Sequence, residues 1–147
     1  MNDTRPTPFG MWRYGNDFRK AALAVLTQHN DPAFVPYYFL LGQSIELSLK
    51  AFLMGRGVPL KVLRSRKYGH DLKALLDEAR RRKLGLEVNL APAHCGVIHL
   101  LGIEYLGRRF QYIRTGTMIL PHSGLSQEAA DLLSAGLKDY SHRVTKW

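Results

Sequence analysis

Cysteine is almost missing from this chain of 147 residues: Cys95 stands alone, so no internal disulfide can form and no extracellular disulfide scaffold is implied. Acids are scarce beside bases, 12 Asp and Glu against 21 Lys and Arg, which leaves a formal net charge of +9. A compact basic domain of that kind favours a polyanionic partner or an acidic protein surface. There is no internal repeat, no good run of strands and no glycine-rich phosphate loop. The glycines at positions 55, 57, 69, 85, 107, 116 and 124 punctuate helices instead. An uncharged apolar run of membrane length is lacking as well. Phe34–Met54 comes nearest, but Gln43, Glu46 and Lys50 near its middle make insertion costly. The opening MNDTRPTPFG is too polar for a signal peptide, so a cytoplasmic protein without membrane association is expected. His94 and His99 are five apart, off one helix face, and no close carboxylate completes a ligand set; no metal or other cofactor is expected.

Hydrophobic residues make up 46% of the chain, enough for a single domain over residues 1–147 with a sizeable core. The pattern predicts an all-α, mainly antiparallel bundle of four to five helices. Residues 1–12 read as an irregular arm, with Pro6 and Pro8 opposing a regular element. A first helix is expected from near Asn16 to His29, with Phe18, Ala21, Ala22, Val25 and Leu26 on its buried face. The second, FVPYYFLLGQSIELSLKAFLM, is the centre of the chain. Phe34, Tyr38, Leu41, Ile45 and Phe52 form one stripe, and Leu40, Leu47, Ala51 and Met54 another. A helix apolar on two faces must be packed from both sides. A linker at Val58–Gly69 leads to a third helix starting at His70 or Asp71. A fourth is capped at Asn89 with Pro92 in its first turn, and a last is capped at Ser126 with Glu128 in its first turn. Arg108–Gly116, RRFQYIRTG, reads as an extended or irregular connector.

Four features carry candidate chemistry. Glu46 and Lys50 are four apart with the acid first, the favourable order for a helical ion pair. The large apolar residues on both flanks argue that the pair lines a groove between helices, with Gly42 admitting a backbone or ligand. Burial demands further hydrogen-bond partners, which His70, Tyr112 or Arg114 could supply. The result is either a structural network or a binding site. His70, in KYGHDL, stands where a basic loop becomes a helix, beside Arg66 and Lys67; it either hydrogen-bonds across the loop or serves as a general acid–base. The segment from Arg56 to Lys83 holds ten bases and three acids, and so supplies +7 of the +9. In the connector, Arg108, Arg109 and Arg114 alternate with Phe110 and Tyr112, as in a nucleic-acid contact or a plug at the end of the bundle.

SIELSLKAFL, the basic linker, YGHDLKALL and YIRTG, in that order, resemble the HEPN domains. The resemblance runs from about Phe18 to Tyr140 and is strongest over Ser44–Leu76. It implies a small helical bundle, often a homodimer, with roles in RNA cleavage, defence or toxin–antitoxin systems. For some relatives it implies a nucleotidyltransferase-like or antitoxin partner. In the ribonucleases of the family an Arg and a His, four to six residues apart near the start of the last long helix, form the active site across a dimer. Arg64 and His70, in RSRKYGH, keep that spacing but precede the third helix, while His142 in the last helix lacks such an arginine. The expectation is therefore a helical module that binds RNA, a nucleotide or a partner protein. Lys67, Glu46, Lys50, Tyr112 and Arg114 are its candidate ligand-binding residues. The alternatives are a metal-independent endoribonuclease with His70 and Arg64 as catalytic residues, and a non-catalytic dimeric interaction subunit.

Overall fold

A computed structural model describes residues 5–28, 33–107 and 120–147. Among them the chain forms six α-helices: α1 Pro8–Thr27, α2 Phe34–Gly55, α3 Leu60–Leu63, α4 Leu72–Arg81, α5 Pro92–Leu106 and α6 Ser123–Val144. A short 3-10 turn, Leu84–Leu86, follows α4. The architecture is all-α, as expected, and mostly antiparallel. The count exceeds four to five because the basic linker contains the single-turn α3.

The N-terminal region departs most from the sequence reading. No irregular arm reaches residue 12, because α1 begins at Pro8 rather than near Asn16. Pro8 occupies the first turn, where its missing amide hydrogen costs nothing and its fixed φ suits the helix. Thr7 caps that turn by accepting from the Gly10 amide at 3.0 Å. Tertiary contacts hold the extension in place. Trp12 is buried and its indole Nε1 donates to the Ser134 carbonyl at 2.8 Å, while the Phe9 amide donates to Thr145 Oγ1 at 2.9 Å.

The other helix starts follow local chemistry, with two shifts from the expected caps. Asp71 caps α4, its Oδ1 accepting from the Ala74 amide at 3.0 Å. For α5, Ala91 takes the cap position in place of Asn89, and His94 Nδ1 accepts from the Ala91 amide at 3.0 Å. His122 rather than Ser126 caps α6, accepting from the Leu125 amide. Ser126 lies inside that helix and donates back to the His122 carbonyl.

Helix α2 lies at the middle, packed by α1, α6, α4 and α5. Tyr37, Leu41, Ile45, Leu49, Phe52 and Leu53 are fully enclosed, whereas Phe34 at the helix start is exposed. Leu72, Leu75, Leu76 and Ala79 of α4 and Ala130, Leu133, Leu137 and Tyr140 of α6 close the core around them. Burying each such leucine or phenylalanine contributes about 1.5–3 kcal/mol. At the C-terminal end of α2, a Cβ at Gly55 would collide with the Tyr140 hydroxyl, which donates to the Phe52 carbonyl at 2.9 Å. The absent side chain lets α6 lie directly on that last turn.

Candidate functional site

Glu46 and Lys50 share one face of α2, a turn apart, and both are buried, at 4% and 9% exposure. Lys50 Nζ donates to Glu46 Oε2 at 2.7 Å. The other carboxylate oxygen serves two more donors. Tyr105, from the last turns of α5, donates its hydroxyl to Oε1 at 2.7 Å, and His70 places Nδ1 2.9 Å from the same atom. The sequence reading brought Glu46, Lys50 and His70 together, and the fold places them in one cluster.

Tyr105 was missed. It reads as one member of the apolar line Cys95, Ile98, Leu101, Tyr105, and only the choice of tyrosine over leucine hints at a hydrogen bond. Its ring fills the space above Gly42, where a Cβ would collide with it. The glycine therefore admits a side chain of the same protein. Glu46 and Lys50 lie beneath Tyr105 and His70 instead of lining an open groove. None of the principal cavities among the described residues is lined by Glu46, Lys50, His70 or Tyr105. A cavity of about 490 Å³ lies among Arg5, Pro8, Met54, Pro59 and Val144.

Electrostatics fix the protonation of the cluster. Burial opposes charge on Glu46, but the hydrogen bond and charge of Lys50, with the hydrogen bonds from Tyr105 and His70, outweigh it. The carboxyl is held below the usual range. Burial first, and then the neighbouring carboxylate, push the Tyr105 hydroxyl far above its ordinary value, so it remains a donor. An ionised carboxylate only accepts, so His70 Nδ1 must carry a proton and donate to it.

His70 is the exposed member. Its side chain is 44% accessible and its ring meets Tyr105 edge to face, with centroids 6.0 Å apart. Its backbone has φ of 60°, the left-handed region, which costs a residue with a Cβ roughly 1–2 kcal/mol. The Glu46 hydrogen bond helps to hold it there. Nε2 makes no hydrogen bond among the described residues and is not a buried atom.

Within the basic segment the charges are sorted by pairing. Lys73 bonds Asp77, and Arg81 and Arg82 both bond Glu78, whose carboxyl they pull to about 2. Arg56 lies over the Phe52 and Tyr140 rings and donates to the Arg82 carbonyl at 3.1 Å. Lys67 is exposed and stands 5.2 Å from the ring centre of Tyr68. Lys61, Arg64, Arg66, Arg80 and Lys83 are exposed without an acidic partner among the described residues. Arg64 sits at the C-cap of α3 and makes no hydrogen bond to the Glu46 cluster. Tyr112 and Arg114, with the rest of the basic–aromatic connector, lie outside the described residues.

His94 and His99 make contacts elsewhere in the bundle. His94 accepts at Nδ1 and faces Glu128 Oε1 through Nε2 at 2.9 Å, tying α5 to α6. His99 Nε2 lies 3.2 Å from Asp77. No group of three or more His, Cys, Asp or Glu among the described residues could hold a metal ion. No helix among them is long and apolar enough to cross a membrane.

Fold and site together define a class: an all-α, six-helix bundle whose central helix buries an acid–base pair beneath a half-exposed histidine. No protein-family model matches the chain, and neither does any curated protein or solved structure.

Proposed function

We propose that this chain is a HEPN-like helical module that binds RNA through the basic segment spanning Arg56 to Lys83. The carrying observation is that Lys61, Arg64, Arg66, Arg80 and Lys83 are exposed without an acidic partner among the described residues, in two stretches that flank His70 in the chain. Arginine and lysine offer only donors, which suits phosphate oxygens. Binding of this kind releases counterions, so affinity falls steeply with salt. The test is a titration of single-stranded RNA, in EDTA, at two salt concentrations. Wild-type protein should lose affinity as salt rises. Arg64→Ala and Arg66→Ala should each flatten the slope by about one unit. Affinity indifferent to salt would refute phosphate contact.

A second reading, metal-independent endoribonuclease, is favoured by the Glu46–His70 hydrogen bond. A carboxylate that orients an imidazole is the arrangement a general acid–base requires, and Arg64 would hold the phosphate. Incubating RNA in EDTA with wild-type protein and with His70→Ala separates the readings. Equal cleavage by both rejects the catalytic one.

A further inference from the structure

The cavity of about 490 Å³ beside the first turn of α1 shares no lining residue with the Glu46 cluster and has a different character. Met54 near the end of α2, Val58 and Leu60 after it, and Val144 of α6 give it apolar walls. Its polar side chains are Arg5, Thr7 and Lys146. All three donate hydrogen bonds, and the two cations cannot accept. The Thr7 oxygen takes the Gly10 amide, which leaves its hydroxyl hydrogen without an acceptor among the described residues. Lys146 is exposed and has no acidic partner among them.

A second cavity, about 350 Å³, adjoins the first at Arg5, Pro6 and Thr7 and is walled further on by Met11, Tyr14 and Leu47. Leu47 and Met54 are seven residues apart, so they lie on one side of α2, about 10 Å from each other along its axis. The two cavities therefore follow two turns of that helix as one trough. Among the described residues no acid lines either of them. Lys146 lines only the first, while Met11 and Leu47 line only the second, so charge is offered at one end and apolar surface at the other.

The ligand that matches is long, apolar and negatively charged at one end. Small-molecule sites commonly occupy about 300–1,000 Å³, with mostly apolar walls and a few polar groups that fix orientation. A compact anion leaves the apolar walls wet, and an amine is repelled by the two cations. We infer that the trough along α2 binds a straight-chain carboxylate of the fatty-acid type, its head beside Lys146 and its tail directed toward Leu47 and Met11. This does not rest on the RNA-binding reading.

Isothermal titration calorimetry of the full chain with sodium octanoate tests it, with hexanoate and 1-octanol as comparisons. Octanoate should bind saturably at a single site. Hexanoate, two methylenes shorter, should bind roughly tenfold more weakly. The alcohol keeps the tail and lacks the charge, and should be weaker by about fivefold, the upper range for an exposed ion pair. Lys146→Glu changes only an exposed side chain and should weaken octanoate by at least that factor while leaving 1-octanol unaffected. Leu60→Trp, with its folding checked by circular dichroism, should fill the first cavity and abolish binding of both. Heat that never saturates with octanoate would overturn the inference. So would equal affinity for octanoate and 1-octanol, or octanoate binding unchanged in Lys146→Glu.

Discussion

Replacing Lys50 with methionine keeps most of the side-chain volume and removes the charge, leaving Glu46 buried without its ion-pair partner. The side chains of Lys50 and Glu46 are 11% and 5% accessible, so water cannot take the place of the lost ammonium. Breaking a buried pair on one side costs about 3–5 kcal/mol, against about 0–1 kcal/mol for an exposed pair. Donation from Tyr105 and His70 remains, which places the expected loss near the lower figure, about 3 kcal/mol. For a chain of this size that corresponds to a fall in Tm of roughly 10 °C. Urea denaturation should show a lower midpoint with an unchanged m-value. The double variant Glu46→Gln with Lys50→Met, which buries no unpaired charge, should recover part of the loss, and a double-mutant cycle measures how much. A loss below about 1 kcal/mol for Lys50→Met would show that the pair is solvated and that the buried network is wrongly described.

Other expectations follow from the same geometry. Because the Glu46 carboxyl is depressed in the folded state, its contribution to stability is present above its unfolded pKa and is lost as pH falls through the folded one. Acid titration of the urea midpoint should therefore show a decline below the ordinary carboxylate range that is weaker in Glu46→Gln. Tyr105→Phe removes a hydrogen bond to a charged group and should destabilise by about 1.5–3 kcal/mol, read by thermal unfolding. Gly42→Ala places a methyl group against the Tyr105 ring and should cost about 1–3 kcal/mol, although alanine in place of glycine within a helix ordinarily stabilises. Lys83 follows the C-cap of α4 with φ of 69°, so Lys83→Gly should stabilise by up to about 1 kcal/mol, while Lys83→Ala should not.

Much of the candidate site was legible because its parts lie on one helix or beside one. The four-residue spacing of Glu46 and Lys50 puts them on a common face whatever surrounds them, and the apolar flanks already argue for burial. His70 was marked by its place between a basic loop and a helix start. Tyr105 was not, because a tyrosine on an apolar helical line carries the same periodic signal as a leucine. Its partner lies 59 residues away. The cap of α5 was missed for a related reason: Asn89 has the better intrinsic preference, yet the His94 side chain folds back one turn to serve the Ala91 amide.

By itself, the sequence determined the helical class, the central position of Phe34–Gly55 and the pairing of an acid with a base along it, since these depend on local period and composition. Tertiary structure alone decided that α1 starts at Pro8, because Trp12 and Phe9 find their partners on α6 and at Thr145, its C-cap. It also decided that the third donor to Glu46 comes from α5. Packing filled the space over Gly42 with a ring, and burial then required that ring's hydroxyl to meet the carboxylate.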